Sequence, residues 1–245
     1  MRQRLDYVLV NRGLVQSRSR ARDLIARGAV TVEGKEAQKA GQLVEPDAVL
    51  TVDGEANAYV ARSGAKLAAG LRGFEFSAAG KVALDVGAST GGFTQVLLED
   101  GAKKVYAVDV GHDQLAAELQ TDARVVSLEG HDVRHLTQTE IKEPVEGIVV
   151  DVSFISLAQV LPSALSFAAA DCWLVALLKP QFEVGRKSIG KGGVVRDDNA
   201  VIHAYMGVRD YLEEQGWNVL GRLPSPLPGK KGNEEYLIGA TRNGE

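Results

Sequence analysis

The sequence predicts an α/β protein: a mostly parallel, doubly wound sheet with a ligand loop at its carboxyl edge, preceded by a small α+β head. Three observations carry this reading. Residues 81–111, KVALDVGASTGGFTQVLLEDGAKKVYAVDVG, read as strand, glycine-rich turn, helix and second strand, the βαβ order of such sheets. Two later apolar runs end abruptly at Asp151 and Lys179. The first 40 residues hold nine Lys and Arg against four acids, a local +5, so a chain of net charge −4 leaves about −9 for the rest. A basic head on an acidic body suggests a polyanion partner.

At 245 residues and 45% hydrophobic, the chain is long enough for a small domain plus a medium one. No 18-residue apolar stretch marks a membrane helix, and the start, MRQRLDYVLVNRG, lacks the pattern of a signal peptide. The one cysteine, Cys172, lies in an apolar run and reads as a buried small hydrophobe. His112, His131, His135 and His203 show no metal-ligand spacing. The expectation is a cytoplasmic protein without a metal.

In the head, Leu5, Val8 and Leu9 fall at i, i+3, i+4 and predict a short helix ending near Asn11 to Gly13. Ser17 is placed to cap a second helix over residues 18–27, closed by Gly28. Its apolar stripe is Ala21, Leu24 and Ile25; Arg18 and Arg22 line one border, Arg20 and Arg27 the other. Residues 29–37 alternate as a strand reaching a turn at Glu33-Gly34-Lys35, and strands are expected around 42–44 and 48–52. Taken alone, these arginines are equally consistent with a solvated helical cap. The run RLDYVLVNRGLVQSRSRARDLIARGAVTVEGK, however, resembles the S4 RNA-binding domain, over roughly residues 1–60. That resemblance implies docking on structured RNA through phosphates and shape, with Arg4, Arg18, Arg20, Arg22 and Arg27 as contacts.

Residues 56–63 read as a linker, and a helix beginning at Ser63 or Gly64 carries Leu67 and Leu71 on one side. Lys66 falls near its first turn, where the helix dipole disfavours a cation. The loop that follows lacks the middle glycine of a dinucleotide fingerprint, reading G-A-S-T-G-G, and Asp85 stands just before it. A carboxylate there suits a cationic ligand better than a diphosphate. The loop resembles motif I of S-adenosylmethionine-dependent methyltransferases. That resemblance makes Asp85, Gly87, Ser89, Thr90, Gly91, Gly92 and Phe93 cofactor-binding candidates. Asp109, at the end of the second strand, can accept from both ribose hydroxyls, and Asp132, in SLEGHDVRHL, is placed to meet the adenine edge.

The next strand ends at Asp151 and runs into Asp-Val-Ser-Phe, where amino-group methyltransferases carry Asn/Asp-Pro-Pro-aromatic; this disfavours N-methylation. Cys172 sits in an expected strand rather than a loop, which disfavours cysteine-based C5 methylation. An alcohol acceptor remains, and it requires a base or a group that orients the oxygen. Lys179 ends the fifth strand beside Asp151, and Glu235 opens a terminal strand, 236–240, expected to pair antiparallel with 217–223.

The order Lys66, Asp151, Lys179, Glu235 resembles the K-D-K-E tetrad of FtsJ-like ribose 2′-O-methyltransferases. Together with SGAKL, DVGASTGGFT, VYAVDVG, DVSFISL, LLKPQFEVGR, GGVVRD and GNEEYL, nearly the whole chain resembles the TlyA/hemolysin A-like family of ribosomal RNA methyltransferases. It departs from that family's Asn-Ala/Ile-Arg at Asp132-Val133-Arg134. The resemblance implies a seven-stranded Rossmann-like class I methyltransferase domain over 64–245, S-adenosylmethionine as cofactor, and cytidine 2′-hydroxyls of ribosomal RNA as acceptors. Lys179 is then the base or orienting group. The loop 186–196 is expected to be a lid whose Arg186, Lys187 and Lys191 meet RNA phosphate. Two rivals are a non-catalytic RNA-binding assembly factor and, with little physical support, a membrane-active hemolysin.

Overall fold

A computed structural model describes residues 2–15, 17–26, 28–54, 59–185, 189–190, 192–229 and 232–244, apart from the side chain of Ser19. The chain divides into two compact units, Met1–Arg62 and Ser63–Glu245.

The first unit runs β1 (Gln3–Arg4), α1 (Leu5–Asn11), α2 (Arg18–Ala26), β2 (Val30–Val32), β3 (Lys35–Glu36), β4 (Leu43–Val44) and β5 (Leu50–Val52). Leu5, Leu9, Ala21, Leu24 and Val30 are fully buried and join the two helices to the strands. Ser17 caps α2, its Oγ accepting from the Arg20 N–H at 3.1 Å. Val32 pairs with Lys35, so Glu33 and Gly34 form a two-residue hairpin loop, both at positive φ (51° and 73°), the geometry that suits strand twist. The pairing of β1 with β4 is too short to leave a sequence pattern.

The second unit contains α3 (Ser63–Phe74), β6 (Val82–Val86), α4 (Gly92–Glu99), β7 (Lys104–Asp109), α5 (Ala117–Gln120) and β8 (Val125–Glu129). After a 3₁₀ turn at Val133–His135 come β9 (Val145–Val150), α6 (Leu157–Leu165), β10 (Ala168–Leu178) and α7 (Pro180–Glu183). The chain ends with α8 (Asp198–Glu214), β11 (Asn218–Pro224) and β12 (Tyr236–Arg242). Its seven strands lie in the order β11-β12-β10-β9-β6-β7-β8. Strands β8, β7, β6, β9 and β10 pair in parallel, and β12 is antiparallel to both β10 and β11. The order reverses at β6, between β7 and β9, so ligands are expected beyond the carboxyl ends of β6 and β9. The sequence reading placed the strands but not α6 or α8. In α6 the apolar residues Leu157, Val160, Leu161, Ala164 and Leu165 make the buried face.

Cys172 lies in β10, 5% exposed, and burial pushes its thiol up to about 12. A thiol so rarely ionised is inert. Alkylation by iodoacetamide at neutral pH, followed by intact mass, is expected to leave the native protein unmodified and label it only after denaturation.

Candidate active site

Strand β6 delivers the loop that begins the site. Gly87 adopts φ +88° and donates to the Val108 carbonyl at 2.8 Å. A Cβ there would lie 2.5 Å from the Asp151 carbonyl oxygen, so only glycine lets this loop and the segment after β9 meet. Gly91, also left-handed at φ +96°, caps α4. Ser89 is exposed; its N–H donates to Asp109 Oδ2 at 2.8 Å, while the Gly111 N–H donates to Oδ1 at 2.7 Å. Each Asp109 oxygen keeps a second lone pair, enough for a vicinal diol.

Asp85 is fully buried. Its Oδ2 accepts from Thr94 Oγ1 at 2.7 Å, but Oδ1 has no hydrogen-bond partner. Burial pushes the carboxyl up to about 7; the Thr94 bond opposes the shift and the Asp151 carboxylate adds to it. A buried acceptor with an empty lone pair is costly, and a bound cationic group relieves it. These residues fit a ligand with an ammonium and a ribose.

The tetrad candidates converge by strand register. Leu178 of β10 faces Tyr236 of β12, so the next residues along each strand, Lys179 and Glu235, emerge side by side. Asp151 follows Val150, the partner of Ala176 in β10. Lys179 Nζ stands 2.6 Å from Asp151 Oδ1 as an ion pair and donates to Ser153 Oγ at 2.9 Å. Lys66, in α3, is ion-paired to Glu235, both about 5% exposed. That carboxylate answers the misfit of a cation near a helix start. Helix α3 approaches closely through Gly70, where a Cβ would lie 3.1 Å from Val175.

Three groups surrounding the tetrad escaped the sequence reading. Phe154 is 91% exposed at φ +66°, a strained conformation for an aromatic residue, with its ring centroid 5.2 Å from that of Phe182. Glu183 accepts from Ser156 Oγ at 2.5 Å and the Leu157 N–H at 2.8 Å, tying α7 to the loop that holds Phe154; burial raises its pKa. Asn233 is 3% exposed. It donates to the Gly193 carbonyl at 2.9 Å and accepts from the Val195 N–H at 3.0 Å, so it clasps the glycine-rich segment two residues ahead of Glu235. Of these, only Phe154 had a visible signal, an aromatic directly after Asp-Val-Ser.

Other expected site residues are placed differently. Phe93 is 2% exposed and part of the core, so its ring is turned inward rather than open to a ligand. Thr90 is exposed, and Gly92 is buried in the first turn of α4. Asp132 has both oxygens engaged by the Arg134 guanidinium and backbone, which holds its carboxyl down at about 2. An adenine contact there has to compete with that fork. In the head, Arg4, Arg18 and Arg22 all reach Asp6. Arg20 is 8% exposed and pairs with Asp23 at 3.2 Å, a strut within α2 and not an outward cation. Arg27, Arg186, Lys187 and Lys191 lie outside the described residues.

Comparison with known proteins bears on family and fold. The model of the FtsJ-like methyltransferase family matches residues 59–242, and that of the S4 domain residues 3–50. A 16S/23S rRNA (cytidine-2′-O)-methyltransferase TlyA of Mycobacterium tuberculosis is 46% identical over 97% of this chain and 89% of its own length. The chain belongs to the TlyA-like, S4-bearing branch of the FtsJ-like methyltransferase family. A candidate hemolysin from Streptococcus thermophilus superposes on this TlyA-like chain with TM-score 0.79 at 36% identity, covering 99% of this chain and 89% of the other. A candidate S-adenosylmethionine-dependent methyltransferase of Listeria monocytogenes shares the fold at TM-score 0.54 and 15% identity, over 73% of this chain and 100% of its own. The TlyA-like chain is thus a methyltransferase. Among its described residues, no helix is long and apolar enough to cross a membrane.

Two outcomes follow from the buried charges. Lys66→Met leaves Glu235 buried without its cation and is expected to cost about 3–5 kcal/mol in urea unfolding, with most of that recovered in the Lys66→Met/Glu235→Gln double variant. Asp85 titrates near 7 when folded against 3.8 as the reference value. Its folded state therefore holds a proton that the unfolded chain has released. The associated stability is complete below the unfolded pKa and is lost as pH rises through about 7. The melting temperature of the cofactor-free protein is expected to fall between about pH 4 and 7, and to fall less in Asp85→Asn.

Proposed function

We propose that this TlyA-like chain transfers a methyl group from S-adenosylmethionine to ribose 2′-hydroxyls of ribosomal RNA, with cytidine as the target nucleoside, and that it acts in the cytoplasm on rRNA or ribosomal subunits. The observation that carries the reading is the convergence of Lys179, Asp151 and Glu235 at adjacent strand ends, with Lys66 reaching Glu235 from α3. The cytidine and rRNA terms are supported by the name of the Mycobacterium tuberculosis relative.

The bound cofactor supplies a methyl group on a positively charged sulfur, open to attack by an oxygen. Asp85 and Asp109 favour its ammonium and its ribose diol. An ammonium has three N–H groups. Lys179 donates one to Ser153 and stands ion-paired beside Asp151, and a further donor can hold the acceptor hydroxyl oxygen on line with the methyl carbon. As the C–O bond forms and the carbon–sulfur bond breaks, the hydroxyl proton leaves to the Asp151 carboxylate beside Lys179; a lysine that keeps all its N–H groups as donors orients the oxygen and does not take that proton. The Lys66–Glu235 pair fixes the opposite wall. The open face of Phe154 offers a surface on which a base can stack, a contact worth about 1–3 kcal/mol per base. The S4 unit supplies affinity for phosphate.

Tritiated S-adenosylmethionine and unmodified ribosomal subunits provide the test. Wild-type protein is expected to label the RNA at a 2′-O-methylcytidine, and Lys179→Ala to slow transfer by about 10²–10⁴-fold, as the oxygen loses its orientation towards the methyl carbon and the Asp151 base. Undiminished transfer by Lys179→Ala would remove that residue from the mechanism. Failure of calorimetry to detect cofactor binding would favour a non-catalytic RNA-binding factor.

A further inference from the structure

We infer that Asp6 is a positioning residue for RNA binding: its buried carboxylate gathers Arg4, Arg18 and Arg22 into one fixed platform for backbone phosphate. The inference rests on the rRNA reading above. Asp6 has no exposed surface, whereas the three arginine side chains are about half exposed, at 49%, 48% and 57%. Arg4 grips it with Nε and Nη2, both at 3.1 Å. Arg18 Nη2 reaches it at 3.0 Å and Arg22 Nε at 3.3 Å. These arginines come from three places in the chain: the strand before α1, and two successive turns of α2.

The arrangement is not what solubility alone would build. Three free arginines on a solvated helix extend into water and keep their rotamer freedom. Here each is anchored to Asp6 through one or two of its nitrogens while about half of its side chain stays exposed, and a guanidinium carries five N–H donors. Three cations on one anion leave a net +2 at a single place. The backbone also makes room: a Cβ at Gly41 would lie 3.2 Å from Arg4 Nη1, so the guanidinium rests directly over that glycine. The Asp6 N–H is held in turn by the Ala40 carbonyl at 3.0 Å. A guanidinium already fixed loses less freedom when a phosphate arrives. The same convergence limits the three to one stretch of RNA backbone, so they can favour a particular phosphate geometry over a generic polyanion.

The sign of the effect separates positioning from charge. Asp6→Asn removes a negative charge from an RNA-binding surface, so electrostatics alone makes RNA binding tighter and its salt dependence steeper. Positioning makes it weaker. Dissociation constants of the full chain for unmodified rRNA transcripts, and for a random-sequence RNA duplex of similar length, are measured across a KCl series. Asp6→Asn is expected to weaken rRNA binding by roughly tenfold while changing duplex binding less, and to raise the KM for RNA more than it lowers kcat. Arg18→Lys keeps the charge and leaves Asp6 partnered by Arg4 and Arg22, so it guards against a variant that fails to fold. It is expected to lose several-fold in rRNA affinity with no change in salt slope. Unchanged or tighter rRNA binding by folded Asp6→Asn, or unchanged binding by Arg18→Lys, overturns the inference. A wild-type protein that binds rRNA no better than the duplex overturns the rRNA reading itself.

Discussion

The site depends on one constraint: a lysine and a glutamate, Lys66 and Glu235, both out of water. Either charge alone in that position costs several kcal/mol, and the pair is tolerated only because each desolvated group meets the other. To meet, they must be brought from opposite ends of the domain, 169 residues apart. Helix α3 therefore has to dock on β10 and β12, and Gly70 provides the close approach. Strand β12 has to enter between β10 and β11 in antiparallel sense, which sets Glu235 beside Lys179. The wall opposite Asp151 is thus a consequence of how β12 is inserted. A parallel strand in that place would present its other end.

A second requirement acts at the point where the sheet order reverses. Gly87 lies against the Asp151 carbonyl, so the glycine-rich segment after β6 and the segment that carries Asp151 touch through backbone. Any ligand that changes the first is felt by the second without an intervening side chain. Asp85 sharpens this. A carboxylate with one oxygen unpartnered is stable in a dry site only when neutral or when a cation arrives. The unliganded site therefore favours the protonated acid, and a sulfonium- and ammonium-bearing cofactor favours the anion. The same residue that destabilises the empty site near neutral pH contributes to selecting a cationic ligand, which is why an acid is useful there and an amide would not be.

Much of this was legible in the sequence, and the parts that were not share a cause. The βαβ unit, the strand ends at Asp151 and Lys179, and the antiparallel hairpin before the C-terminus leave local signals: apolar runs, glycines and abrupt charges. What stayed hidden needed distant partners. Arg20 and Arg18 look alike as positions two apart on a basic helix, yet one is buried beside Asp23 and the other faces solvent over Asp6. Periodicity assigns a border of the helix but not what lies across from it. Phe93 and Phe154 show the same ambiguity. Each follows a loop of the site, but Phe93 starts a helix whose inner face is core, while Phe154 is turned outwards by a positive φ that no local pattern announces. The Arg134 fork on Asp132 is only two residues away, but its consequence, an acid already engaged, depends on side-chain conformation.

The charge division along the chain has a physical limit that favours local devices over global ones. At physiological ionic strength the Debye length is about 8 Å, so each charge acts on RNA only at short range, and the +5 of the first 40 residues attracts only what comes close. Net charge then contributes little discrimination between RNAs. Discrimination has to come from contacts within a few ångströms: guanidiniums held at fixed positions, an aromatic face beside the tetrad, and a glycine-rich segment clasped by Asn233. Each of these is built from side chains whose freedom the fold has already removed, so a substrate that matches them loses less entropy on binding than one that merely carries phosphate.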